Sequence, residues 1–310
     1  MKFPYILRPW IYAYRLTPKL YVPGTNVDIN FSFFIALLLS VTRLTFRQVL
    51  YHWGWPVGAS DTYFTSACCV SVCTSSLMLP GIASLLLSQK YVPSGSLQPS
   101  PLWYQDGTHA LIGFCTGYMI YDSILGYVVE TWQTGIGPVL SIDDWTYLVH
   151  HILTTLYMLS AKIAGAGHMS ALMLIFNGEF SAPIMNLHFI LEKACVQYKD
   201  ISWLPTVFAY NEQLFSLIYI VCRVVVSPFV IAHISYDLLF TKNGRKDVPV
   251  WLSISWMPMC WGGKQFDNHY QYGSLTISIF SFLILLNHKT MQRTKFNLDR
   301  FHGLKHALSY

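Results

Sequence analysis

The chain has 310 residues, of which 53% are hydrophobic and only 11% charged, less than half the ~25% charge of a soluble domain. That balance excludes an ordinary soluble globule and points to a polytopic membrane protein, all-α, with seven or eight transmembrane spans. The net charge of +5 is scattered over the ends and a few loops, too dispersed for an electrostatic footprint of nucleic acid, so no nucleic-acid partner is expected. A crossing helix needs ~20 residues, and apolar segments of that length recur along the chain. Residues 1–27 read as an interfacial N-terminal segment: Lys2, Arg8, Arg15 and Lys19 are basic flanks, while Pro4 and Pro9 interrupt any signal-peptide core. The first span lies near 28–48, closed by Arg43 and Arg47, and its loop runs through Trp53-Gly54-Trp55-Pro56 to residue 59. Asn30-Phe31-Ser32 matches the glycosylation sequon, but at the lip of that span an oligosaccharide is not expected.

Further spans are predicted near 63–88, 108–130, 145–163, 168–190 and 207–238, with a last one at 271–288 inside a membrane domain of residues 60–290. Gly and Pro punctuate the connectors: Val92-Pro93-Ser94-Gly95-Ser96, then Gly135-Ile136-Gly137-Pro138, then the short hairpin Gly165-Ala166-Gly167. Residues 291–310 form a basic tail. Val248–Gly263 is apolar and rich in Trp, yet short and broken by Pro258. If it crosses, Lys and Arg divide fourteen against five, with Arg223 inside a span; if it does not, they divide ten against nine. The positive-inside rule favours crossing, with both termini cytosolic; a re-entrant segment has the same sequence. The seven cysteines show neither a C-x-x-C pair nor metal spacing, so neither a disulfide framework nor a metal is expected.

A charge at mid-membrane costs about 2.5–3.5 kcal/mol on insertion scales and faces a partner or a cavity. Asp122 in the third span, His150 and His151 in the fourth, Glu179 and Asn186 in the fifth and Arg223 in the sixth are such residues. Successive spans with one or two apiece imply either a shared polar cavity or a structural polar network. Adjacent histidines point about 100° apart on a helix, which disfavours a joint metal site. Tyr147 and Thr154 extend a polar stripe with them. A histidine there suits general-base chemistry on an amine or hydroxyl, or a hydrogen bond to a neighbouring helix. Glu179, Pro183 and Asn186 share a helical face, and Pro183 opens the backbone ladder. Asn211, Phe215, Tyr219 and Arg223 step by four, Arg223 needs an acid such as Glu179 or Asp122, and Pro228 kinks the helix near its end.

The ordered set Gly117-Tyr118 with Asp122, His150-His151, Glu179-Phe180-Ser181-Ala182-Pro183 with Asn186, then Asn211, Phe215, Arg223 and Pro228 resembles the TLC-domain family, over roughly residues 60–290. The resemblance implies a helical bundle around a lipid-accessible cavity in the endoplasmic reticulum or a related membrane, with membrane lipids as partners. Ceramide synthases in that family follow the His pair with a His-Asp and a further Asp; those places are held here by Asn177, Gly178 and Ser181. The Glu-x-Ser-x-Pro-x-x-Asn version is similar to the smaller, lipid-linked branch. Three functions follow as expectations. The first is lipid homeostasis or handling, with a cavity lined by His150, His151, Glu179, Asp122, Tyr147, Thr154, Asn186, Tyr219 and Arg223. The second is an N-acyltransferase on a sphingoid base or similar amine, with His150 or His151 as base and Glu179 orienting it. The third is a trafficking or translocon-associated receptor. No cofactor is expected, except acyl-CoA under the second.

Overall fold

The computed structural model describes residues 4–25, 27–124 and 142–260. Among them every regular element is a helix. In chain order these are α1 (Arg8–Leu16), α2 (Asn30–His52), α3 (Ser60–Ser88), α4 (Leu102–Tyr121), α5 (Ile142–Ala164), α6 (His168–Glu179) and α7 (Ala182–Gln197). A long α8 (Leu204–Phe240), a short α9 (Lys242–Asp247) and α10 (Val250–Cys260) complete the set. Three of them, α2, α3 and α8, are long and apolar enough to cross a membrane. Their outward faces carry exposed Leu37, Leu38, Leu77, Val224 and Phe229, as lipid contact requires. This is an integral membrane bundle.

The helix α4 runs through its middle. Almost every residue from Tyr104 to Tyr121 is buried, which explains why α4 need not be as apolar as the lipid-facing helices. Close approach depends on glycine here. At Gly117 an added Cβ would sit 2.5 Å from the Ser32 carbonyl and 2.8 Å from Ile35, so the Gly117-Tyr118 pair first serves packing of α2 on α4. The Ser32 hydroxyl donates to the Gly113 carbonyl across the same seam (2.9 Å). In a bilayer, where no hydrophobic force draws helices together, such small-residue contacts carry the association.

Two faces emerge from the connectors. On the N-terminal face, Lys162 donates to the Asp28 carbonyl (3.1 Å), Leu97 pairs with Gly165, and the Asp237 carboxylate accepts from the Ser94 amide (2.8 Å). On the far face, Tyr198 and Gln197 donate to the carbonyls of Trp53 and Gly54. The passes therefore alternate: α2, α3, α4 and α5, then α6 with α7, then α8. The N-terminal segment folds onto this frame, with Leu7 and Ile11 buried, Trp10 edge-on to Phe114 at 4.7 Å, and Arg15 paired with Asp106 at 2.5 Å. Asn30 is tied by its side chain to the Pro18 carbonyl.

Several boundaries move. The third pass begins at Leu102 rather than near 108, because Pro101 starts the helix outside the apolar run. The fifth is two helices, α6 and α7, interrupted at Phe180–Ser181; Pro183 stands in the first turn of α7 and withholds its N–H. The sixth stays continuous over 37 residues, ~55 Å at 1.5 Å per residue, so it overreaches the bilayer. Its irregularity is a π-helical stretch, Ile220–Val226, with Pro228 just beyond it. The turn at Gly135–Pro138, the span at 271–288 and the tail at 291–310 lie outside the described residues.

Candidate functional site

The irregular stretches of α6–α7 and α8 face each other at mid-membrane. The break in α6–α7 leaves carbonyls without helical partners, since Phe180 still bonds back to Phe176 and Met185 already bonds to Ser181. Arg223 meets them: its Nη2 donates to the Gly178 carbonyl at 2.6 Å and its Nε to the Ser181 hydroxyl at 3.4 Å. Arg223 lies midway along α8, inside the π stretch, where the i→i+5 pattern is a frequent mark of a functional position. The amide of Asn177 donates to the Ser227 hydroxyl, locking α6 to α8 beside it. Glu179 turns the other way and accepts from the Ser75 hydroxyl of α3 at 2.5 Å.

Between these groups is a cavity of about 120 Å³. Its polar wall is His150, Thr154, Asn177, Glu179, Arg223 and Ser227; the rest is largely apolar, with Met119, Leu153, Met158, Leu174, Ile231 and Met259, plus two thiols, Cys115 and Cys260. An apolar cavity of ~150 Å³ holds one benzene, and pockets for drug-sized ligands run to ~300–1,000 Å³. The described space therefore suits a small polar group on a longer chain rather than a whole nucleotide cofactor. Glu179 lies eleven residues into α6, ~17 Å along its axis, near the middle of a ~30 Å hydrocarbon core.

The two adjacent histidines part company. His150 lines the cavity with Thr154, one turn further along α5. His151 is buried on the other side of the helix, its Nε2 3.7 Å from an Asp122 oxygen and its Nδ1 3.4 Å from the Ser123 hydroxyl. Their ring centres are 5.8 Å apart. The ~100° step between neighbours on a helix is what separates them. A ring that opens on the cavity beside a carboxylate and a guanidinium can exchange a proton with a bound hydroxyl or amine.

The remaining candidates, Asn186 and Tyr219, are not among the residues that line the cavity. Asn186 is buried and straps α7 to α3, donating to the Ser71 hydroxyl (2.9 Å) and to the Ala182 carbonyl. Ser71 also accepts from Tyr118 at 3.0 Å, so one serine gathers three helices. Tyr219 is 2% exposed and sits one turn before Arg223 in the buried stripe with Asn211 and Phe215; Asn211 donates to the Ile184 carbonyl at 3.3 Å. The side chain of Tyr147 lies outside the described residues. Sequence reasoning missed Ser71, Ser75, Ser227, Cys115 and Cys260. Among the described residues no three His, Cys, Asp or Glu side chains are gathered as a metal ion would need.

Compared with known proteins, residues 64–272 match the family profile of the TLC domain, a stretch that contains every residue of this site. No curated protein matches the chain as a relative.

Proposed function

The chain belongs to the TLC-domain family, a family of lipid-related membrane proteins, and on that premise we propose that it handles a membrane lipid in the central cavity, serving membrane lipid homeostasis in the smaller branch of the family. One observation carries the reading. Three helices, α5, α6 and α8, bring His150, Glu179, Asn177 and Arg223 to one mid-membrane cavity whose other walls are largely apolar. Polar groups at that depth are costly unless used or paired, and a polar end with an apolar remainder matches an amphiphile. The membrane we assign is the endoplasmic reticulum. Its cytosol lies on the N-terminal face, because described Lys and Arg there outnumber those on the far face eight to four, the four being Arg43, Arg47, Lys193 and Lys199.

The test is the lipid profile of cells lacking the protein, rescued by wild type, His150→Ala or His151→Ala, each normalised to protein level. We expect His150→Ala to accumulate normally and to restore at most about a hundredth of the wild-type effect per molecule, the low end of what a general base contributes. His151→Ala loses protein instead, in proportion to function. Normal effect per molecule for His150→Ala sinks the proposal.

A second reading, N-acyl transfer to an amine, draws on the nearness of His150 to Glu179 in one cavity. Against it stand Asn177, Gly178 and Ser181, which occupy the places of the acidic motif and here hold the helix break together. Purified protein supplied with a long-chain amine and acyl-CoA decides between the two: amide formed by wild type and absent with His150→Ala establishes transfer.

A further inference from the structure

The segment from Val248 onward turns inward. Pro249 ends a short extended joint after α9, and α10 starts from its carbonyl, which accepts from the amides of Leu252 and Ser253. One face of α10 is enclosed: Val248, Leu252, Ser253, Trp256 and Cys260 are 0–7% exposed, whereas Val250, Trp251 and Ile254 are more than half exposed. Eleven residues reach ~16 Å, half the hydrocarbon core. The described helix thus runs from the N-terminal face to the cavity, where Met259 and Cys260 become part of the wall.

Trp256 fastens it. Its indole is fully buried, the N–H donates to the Ser160 hydroxyl at 2.8 Å, and the ring lies 4.8 Å from that of Tyr157. The ring also rests on the hairpin at Gly167, where an added Cβ would come within 2.6 Å of it. Gly167 is held at φ +75°, so the position needs glycine for its backbone and for its missing side chain alike. Among the described residues, the other enclosed polar side chain of α10, the Ser253 hydroxyl, meets no hydrogen-bond partner, and the Ser255 hydroxyl donates to the Trp251 carbonyl of its own helix. Lipid tails are as apolar as the interface they would replace, so among the described residues the Trp256 hydrogen bond and ring contacts are the specific tie of α10 to α5 and the hairpin.

We propose that α10 is a plug closing the cavity toward the N-terminal face, with Trp256 as its bolt, and that displacing it opens the cavity to that side. The purpose of the plug rests on the lipid-handling reading; its existence does not. Such a gate admits a polar co-substrate or headgroup from the aqueous side while the apolar walls stay sealed from water.

Cys115 is the reporter, because it lines the cavity on α4, a helix the plug does not belong to. In protein whose other cysteines are replaced, its labelling by a membrane-impermeant, anionic methanethiosulfonate is followed from the N-terminal face of sealed vesicles. Wild type should react slowly. Trp256→Ala and Gly167→Ala should each raise the rate about tenfold or more by populating the open state, and Ser160→Ala, which spares the packing, about threefold. Monodisperse elution of each variant shows that it is folded. Unchanged rates in folded Ser160→Ala and in either larger variant overturn the plug, as does fast labelling of wild type. A failure of the lipid reading shows instead in His150→Ala cells and leaves these rates as they are.

Discussion

The α2–α3–α4 half of the bundle and the α6–α7–α8 half treat the membrane differently. In the first, α2, α3 and α4 each stay continuous, with Pro80 inside α3, and α2 and α4 touch at backbone distance, with Gly117 against Ser32 and Ile35; the Ser32 hydroxyl donates to Gly113 within that seam. In the second, the backbone ladder is interrupted in α6–α7 and distorted in α8; the Gly178 carbonyl accepts from Arg223 across the interface, and the Asn177 amide donates to the Ser227 hydroxyl beside it. Regular backbone leaves nothing for a ligand to meet. Irregular backbone at membrane depth persists only where protein or a polar cavity satisfies it. The first half is mostly scaffold, lending the cavity Cys115 and Met119, whereas the second supplies four of its six polar groups, Asn177, Glu179, Arg223 and Ser227, which is why the same residue types do different things in each.

The largest effect that sharpens this contrast is expected at the charged groups of the second half. Glu179→Gln and Arg223→Gln should each cost up to about 3 kcal/mol, the low end of the penalty for stranding a buried charge, because both residues are half-buried, seen as lost expression and a lower melting temperature. The double variant recovers part of the loss if the two charges compensate each other. Strictly additive losses would show that they act independently.

Next comes a glycine pair that separates the halves directly. Gly117→Ala has no room and should cost about 1–3 kcal/mol through overpacking. Gly178→Ala meets no atom within 4 Å and should leave the melting temperature nearly unchanged, although its carbonyl is bound by Arg223. Equal losses at the two glycines would break the distinction between scaffold and cavity. Thermal unfolding in detergent, followed by size-exclusion chromatography, measures both.

A smaller loss is expected where a polar pair lies off the cavity. Asp122→Asn and His151→Ala should each cost about 1–2 kcal/mol, the scale of interhelical hydrogen bonds in membranes, and the double variant no more than the larger single loss. The smallest effect belongs to Ser75→Ala. Removing its hydrogen bond to Glu179 should cost ~0.6–1.7 kcal/mol yet reduce lipid effect per molecule, because the carboxylate loses the group that aims it. A change in stability with no change in specific effect would move Ser75 to the scaffold.

Much of this organisation was legible before any coordinates. Hydrophobic run length located the described passes, with ends that moved by up to seven residues, because water and lipid impose that pattern on any chain that spans. Residues too polar for their surroundings marked His150, His151, Glu179 and Arg223, and Pro183 marked the break, since a missing N–H is a local fact. What sits across an interface is not local. Ser71 and Ser75 gave no signal, because a serine in a helix can satisfy its hydroxyl on its own preceding turn and so carries no evident cost. Asn186 and Glu179 were placed on one face, but that this face meets α3 depends on how α7 packs. Helical period alone states that His150 and His151 point apart; only the positions of α4, α6 and α8 decide that His150 meets the cavity while His151 meets Asp122. The sequence by itself determined an all-helical membrane bundle and its uncommon polar residues, through solvation costs that each segment bears alone. Tertiary structure decided their pairing, the turn of Val250–Cys260 into the bundle and the cavity itself, because those follow from contacts between segments far apart in the chain.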